Sequence, residues 1–172
     1  MKTFLKHSLD LTLCQTQLAE LKQLLQANQV LSEQNDILPF FRARQQIAAL
    51  MGSLHPRLNR SDLIAFEYDL FGDFSCDLVI GDSVRQSYCF VEFENAVANS
   101  VFVSNAKKVT PEWSGRFEHG FSQIVDWFWK LNDLERTEDF ENRFRSRSID
   151  YVGLLVIGRK EHLDLREQKR LQ

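Results

Sequence analysis

Between Leu63 and Glu94 three strand-like runs follow one another with almost no connecting chain, and this restricts the fold more than any other feature. The runs are LIAFEYDLF (Leu63–Phe71), FSCDLVI (Phe74–Ile80) and SYCFVEFE (Ser87–Glu94). Gly72-Asp73 and the segment GDSVRQ separate them, and both are turn sequences. Links this short join antiparallel neighbours, because a parallel crossover needs roughly a dozen residues or more. The segment predicts an antiparallel meander, which must then find apolar cover from the rest of the chain.

The flanking segments supply that cover. DLTLCQTQLAELKQLLQAN sets Leu11, Leu18, Leu21 and Leu25 at helical spacing, with Asn28 as a stop. SEQNDILPFFRARQQIAALMGSL restarts with Ser32 and Glu33 as cap residues, Pro39 in the first turn and Gly52 at the end. After the meander, residues 95–115 form an irregular segment of a length that compact domains reserve for functional or mobile loops. RFEHGFSQIVDWFWKLNDL is amphipathic: Phe117, Phe121, Ile124, Phe128 and Leu131 make one stripe, and His119, Gln123, Asp126 and Lys130 another. RTEDFENRFRSRS reads as a charged, partly helical connector. YVGLLVIG (Tyr151–Gly158) is a continuous apolar run suited to a strand buried on both faces. HLDLREQKRLQ starts a basic helix and stops mid-pattern, as a fold continuing past Gln172 would. The order predicts a single α+β domain, an α/β/α sandwich with a mixed central sheet. Residues 1–60 are its N-terminal helical part and residues 61–172 its core.

Composition narrows the class without naming it. A chain of 172 residues buries a real core, and a net charge of −3 does not advertise a nucleic-acid binder. It does not exclude one, since metal-holding carboxylates lower the average while a local basic patch faces phosphate. Cys14, Cys76 and Cys89 have no metal-ligand spacing, and an odd count without a signal peptide reads as reduced thiols. The opening stretch MKTFLKHSLDLTL has no long apolar core or cleavage site, and no run is long enough to span a bilayer, so a cytoplasmic protein is expected.

The third strand raises the chemical question. Glu92 and Glu94 stand where a strand core should hold valines, and residues two apart share a face. If the hairpin turn is centred between Val84 and Arg85, Asp77 lies opposite Glu92. Three carboxylates so close repel one another and raise their pKa values, unless a cation sits among them or the strand ends reach water. Hard oxygen donors suit Mg²⁺ or Mn²⁺, ions that activate water and steady charge on a phosphoryl group. The spacing alone also describes a half-exposed strand with a solvated acidic face, the commoner fate of so short a motif.

The order of these features resembles the PD-(D/E)xK nuclease superfamily, with its restriction-endonuclease-like core of helix, three-strand meander, helix and strand. More specifically, VEFENAVANSVF, EWSGRFEHGFSQIVDWFWKL and YVGLLVIGRKEHL resemble the Shedu anti-phage defence nuclease domain, from about Glu20 to the chain end. The resemblance implies that Asp77 and Glu92 bind metal, and that Gln123 stands near the site on the following helix. Glu20 would be the first-helix acid that completes the ligand set, with Glu33 competing for that place. Glu94 occupies the position of the superfamily's lysine, the chief departure, and would hold a second ion instead; Lys107 or Lys108 would supply the missing charge, although solvated loop lysines are the plainer reading. For other residues the plain readings stand: His119 as a surface or capping residue, Trp113, Trp127 and Trp129 as core or interface aromatics. Glu67 and Asp69 read as an exposed face, Asp126 as the wet side of its helix, and Arg143, Arg145 and Arg147 as a solvated charge run. The expected function is metal-dependent DNA cleavage in bacterial anti-phage defence, with homo-oligomers a further expectation. The alternative is a nuclease-like fold without catalysis, serving to bind DNA or a protein.

Overall fold

A computed structural model describes residues 3–172; Met1 and Lys2, which open the stretch searched for a signal, lie outside the described residues. After a short strand β1 (Leu5–Lys6), Asp10 accepts backbone N–H bonds from Thr12 and Leu13 and so starts α1 (Leu11–Ala27). Asn28 ends it, with extended backbone and its amide on the Leu24 carbonyl. Ser32 caps a π-helical turn, Glu33–Ile37, by accepting from the Asn35 N–H. There follow α2 (Leu38–Ala43), α3 (Gln45–Leu50) and a 3₁₀ turn at Met51–Leu54. The pattern predicts one helix over this stretch, but Arg44 breaks it, at φ −126° and ψ 65°. The Arg44 side chain is drawn elsewhere: its Nε donates to Glu20, and its guanidinium lies 4.2 Å from the centre of the Phe40 ring.

The meander forms as expected, from β2 (Leu63–Leu70), β3 (Phe74–Asp82) and β4 (Ser87–Phe93). Two short strands, β5 (Phe102–Val103) and β6 (Glu112–Trp113), pair within the segment read as irregular. Then come α4 (Gly115–Leu134), α5 (Glu138–Phe144), β7 (Asp150–Val156), a 3₁₀ turn at Lys160–His162 and α6 (Leu165–Arg170). The main sheet has the order β1-β2-β3-β4-β7, antiparallel except for the parallel pair β4–β7. One face packs on the N-terminal helices through Leu78, Ile80, Val91 and Phe93. The other packs on α4 and α5, where Tyr88 and Phe90 meet Ile124, Trp127, Leu131 and Phe144. The result is the expected mixed α+β sandwich, a single sheet between two helical layers.

Two expectations are corrected. β7 stands at the sheet edge and is half-buried, although its apolar residues pack on both layers, Val152, Leu154 and Val156 on one and Tyr151 and Leu155 on the other. On α4, Ile124 and Leu131 of the predicted stripe are buried and Trp127 is core, but Phe121 is 56 % exposed. The cause is the docking line, set where α4 crosses β7. At Gly153 a Cβ would stand 2.3 Å from Ile124 Cγ2, and at Gly120 one would stand 2.6 Å from Leu155 Cδ1. Two absent side chains let helix and strand meet there, which rotates Trp127 inward.

The facing of β2 and β3 changes along their length. Phe66 and Leu78 belong to the N-terminal core, whereas Tyr68 and Cys76, two positions away, belong to the other. Regular alternation forbids this. The switch falls at Glu67, whose φ is +48°, beside Asp77 on the neighbouring strand. The pairs Phe66↔Leu78 and Tyr68↔Cys76 keep one register across it, so the strands kink without inserting a residue.

Candidate active site

The β3–β4 register runs from Asp82↔Ser87 to Leu78↔Val91, so the next facing pair is Asp77 and Glu92, as the hairpin arithmetic requires. Here the regular ladder stops. The Phe93 N–H donates to Asp77 Oδ2 at 2.9 Å instead of to a backbone carbonyl. The kink beside Glu67 thus turns Asp77 from a ladder residue into a side-chain acceptor at the end of β4.

Each carboxyl of the facing pair Asp77 and Glu92 shifts the other's titration, and the pair is best accommodated with one proton between them. Burial raises Glu92 to about 9, helped by the charges of Asp77, Glu33 and Glu94. Burial also raises Asp77, against the lowering effect of the Phe93 N–H, Glu92 and Arg42. Glu92 is 6 % exposed, and its Oε2 receives no hydrogen bond. Gln123, on α4, also has a buried Oε1 without a donor. Both orphans are acceptors, so another acceptor cannot satisfy them; a cation or water can.

Glu94 continues β4 through its N–H to the Val156 carbonyl and is 4 % exposed. Gly120 lets α4 close over it: a Cβ there would lie 3.3 Å from Glu94 Cγ. The Glu94 carboxylate meets Arg116 Nη1 at 3.3 Å. Glu33 reaches the same neighbourhood from the N-terminal layer, its backbone N–H held by Asn95 Oδ1 at 2.6 Å. Burial and the charges of Asp77 and Glu94 raise its pKa, while Arg116 and His119 lower it.

The remaining predicted residues are placed elsewhere or remain solvated. Glu20 is bound to Arg44, so Glu33, not Glu20, is the N-terminal acid that senses the cluster. Lys108 pairs with Glu112, and Lys107 is exposed in the same loop. Glu67 pairs with Arg42, Asp69 and Asp139 with Arg143, and Arg147 with Glu141. His119 and Asp126 are exposed, Trp127 is core, and Trp129 is 60 % exposed. Trp113 stacks on Phe117 at 4.3 Å. Among the described residues, no three His, Cys, Asp or Glu side chains are gathered to hold a metal ion as they stand. Asp77 and Glu92 are engaged with each other and Glu94 with Arg116.

Arg116 is the residue that sequence reasoning passed over. The signal was there: a cation in the first turn of a helix opposes the helix dipole, so it implies a local anionic partner.

Among the described residues no helix is long and apolar enough to cross a membrane. No curated protein and no solved structure gives a significant match. A family model described as Shedu protein SduA, C-terminal, matches residues 17–172, which takes in all but the start of α1, the whole meander and every carboxylate of the cluster. The chain belongs to the family of the Shedu protein SduA C-terminal region.

Proposed function

We propose that this chain is a divalent-metal-dependent nuclease domain that hydrolyses DNA phosphodiesters in anti-phage defence. Family membership supports the defence role. One observation carries the chemistry: a half-buried carboxyl, Asp77, and a buried one, Glu92, face each other across a hairpin, with Glu92 Oε2 unpartnered. Hard oxygen donors that coexist only around a positive charge are the donor set for Mg²⁺ or Mn²⁺. Asp77 and Glu92 would hold the ion in place of the shared proton, with Glu33 or Gln123 as the further oxygen donor. When bound, it supplies the charge that activates water and stabilises the phosphoryl group. The Phe93 N–H fixes the Asp77 carboxylate for this task, and α4 approaches Glu94 closely at Gly120.

Asp77→Asn and Glu92→Gln should each abolish Mg²⁺-dependent cleavage of DNA with an unchanged circular dichroism spectrum. Cutting at the wild-type rate by both variants would refute the site. A second reading rests on Glu94, already taken up by Arg116: a binding module of the same fold without catalysis. Titration calorimetry separates the two. Heat on adding Mn²⁺ that disappears in Asp77→Asn supports the nuclease, and no heat at all supports the module.

A further inference from the structure

The cluster is acidic, yet a nuclease must hold a polyanion beside it. Asp77, Glu92, Glu94 and Glu33 together repel phosphate, and an ion held by two carboxylates leaves that balance negative. A cation of the chain itself must therefore face the substrate.

Glu94 identifies it. A carboxylate 4 % exposed, beside two other acids, is costly unless paired. Its partner, Arg116, is differently placed: the Glu94 side chain is 5 % exposed and that of Arg116 38 %. The pair thus runs from the interior to the mouth of the site. Guanidinium has five N–H donors in a planar fork, and the contact with Glu94 uses Nη1 alone. The partly exposed guanidinium stands in the first turn of α4, the end of a helix that favours an anion. The Arg116 charge reaches Glu33 within the cluster, so it belongs to the same site. Lys108 has a carboxylate partner outside the cluster and shows no such link.

We propose that Arg116 binds the DNA phosphate at the site and that Glu94 is the residue that positions it. This rests on the nuclease reading and adds the substrate contact to it. Bidentate contact from guanidinium to a phosphate is the geometry that arginine provides and lysine does not. Held by Glu94, the fork needs little reordering when DNA arrives.

The test measures DNA binding without metal, in EDTA, by fluorescence anisotropy across a salt series, alongside Mg²⁺-dependent cleavage. Arg116→Ala should weaken binding about tenfold and lower the slope of log affinity against log salt by about 1. Arg116→Lys should keep most of the salt slope and lose most of the cleavage. Glu94→Gln should lower cleavage in the wild-type background and change nothing further in an Arg116→Ala background, because it acts through that arginine. Wild-type affinity and salt slope in Arg116→Ala would overturn the proposal, as would a full further loss from Glu94→Gln when Arg116 is absent. The failures are separable: a wild type that binds DNA but never cuts refutes the nuclease reading and leaves the Arg116 contact measurable.

Discussion

Glu92 is the residue on which the site turns, and its burial has a consequence for stability. Its ordinary pKa is near 4.5, and in the folded chain burial and neighbouring acids hold it at about 9. Below 4.5 both folded and unfolded states carry the proton, and Glu92 costs nothing. As pH rises from there towards 9 the unfolded state releases its proton and the folded state does not, so stability falls across that window and levels off above it. Glu92→Gln removes the titration while keeping a group that can donate to Asp77. In EDTA at pH 8 it should melt several degrees above wild type, and at pH 4.5 the two should coincide. A melting difference independent of pH would disprove the buried, protonated state. Asp82 shows the opposite design at the other end of β3. It is 1 % exposed, and burial alone would raise its pKa. The N–H groups of Arg85, Arg60, Asn59 and Val84 outweigh that burial and hold it below the usual range. Its stabilisation is present above the unfolded pKa and is lost as pH falls through the folded one. Asp82→Ala, which leaves four donors unmet, should cost about 3 kcal/mol, read as a lower urea midpoint with the same slope.

At the scale of elements, the line where α4 crosses β7 determines what faces the cluster. Gly153 and Gly120 set that line, and Arg116, Gly120 and Gln123 follow one another along the same helix. Gly153→Ala puts a methyl 2.3 Å from Ile124 Cγ2, inside a packed layer that also holds Phe128. Overpacking of this kind costs about 1–3 kcal/mol, or roughly 2–4 °C per kcal/mol for a chain this long. Adding Ile124→Ala should relieve it, so the double variant should lose less than the sum of the single ones in thermal melts. Strict additivity would mean that the contact does not limit the approach. This line was not legible in the sequence. The stripe Phe117, Phe121, Ile124, Phe128, Leu131 had the right period, but periodicity does not say which edge of an apolar face meets the sheet. Two glycines decided that, and Phe121 was left outside while Trp127 went in.

Across the molecule, what was legible is what local rules dictate. Two short turns required a meander, and the hairpin's own arithmetic set Asp77 against Glu92. What was not legible depends on contacts between distant segments: the kink at Glu67, the burial of Glu94 beneath α4, and which of Glu20 and Glu33 stands by the cluster. Glu20 and Glu33 both lie in the helical third, and only the break at Arg44 shows that one of them is already committed. The finished site draws on every layer. The sheet supplies Asp77, Glu92 and Glu94, the N-terminal layer Glu33, and α4 Arg116. A cation there would tie the two helical layers to the sheet, so its binding should appear as stability of the whole chain. A ligand at one hundred times its Kd adds about 2.7 kcal/mol, which for this length is roughly 5–10 °C. Mn²⁺ should therefore raise the melting temperature of wild type by that order and leave Asp77→Asn unmoved. The gain should increase from pH 6 to pH 8, because the ion must displace the proton that Asp77 and Glu92 share, and protons compete less as pH rises. A rise of equal size in wild type and Asp77→Asn would place the ion elsewhere.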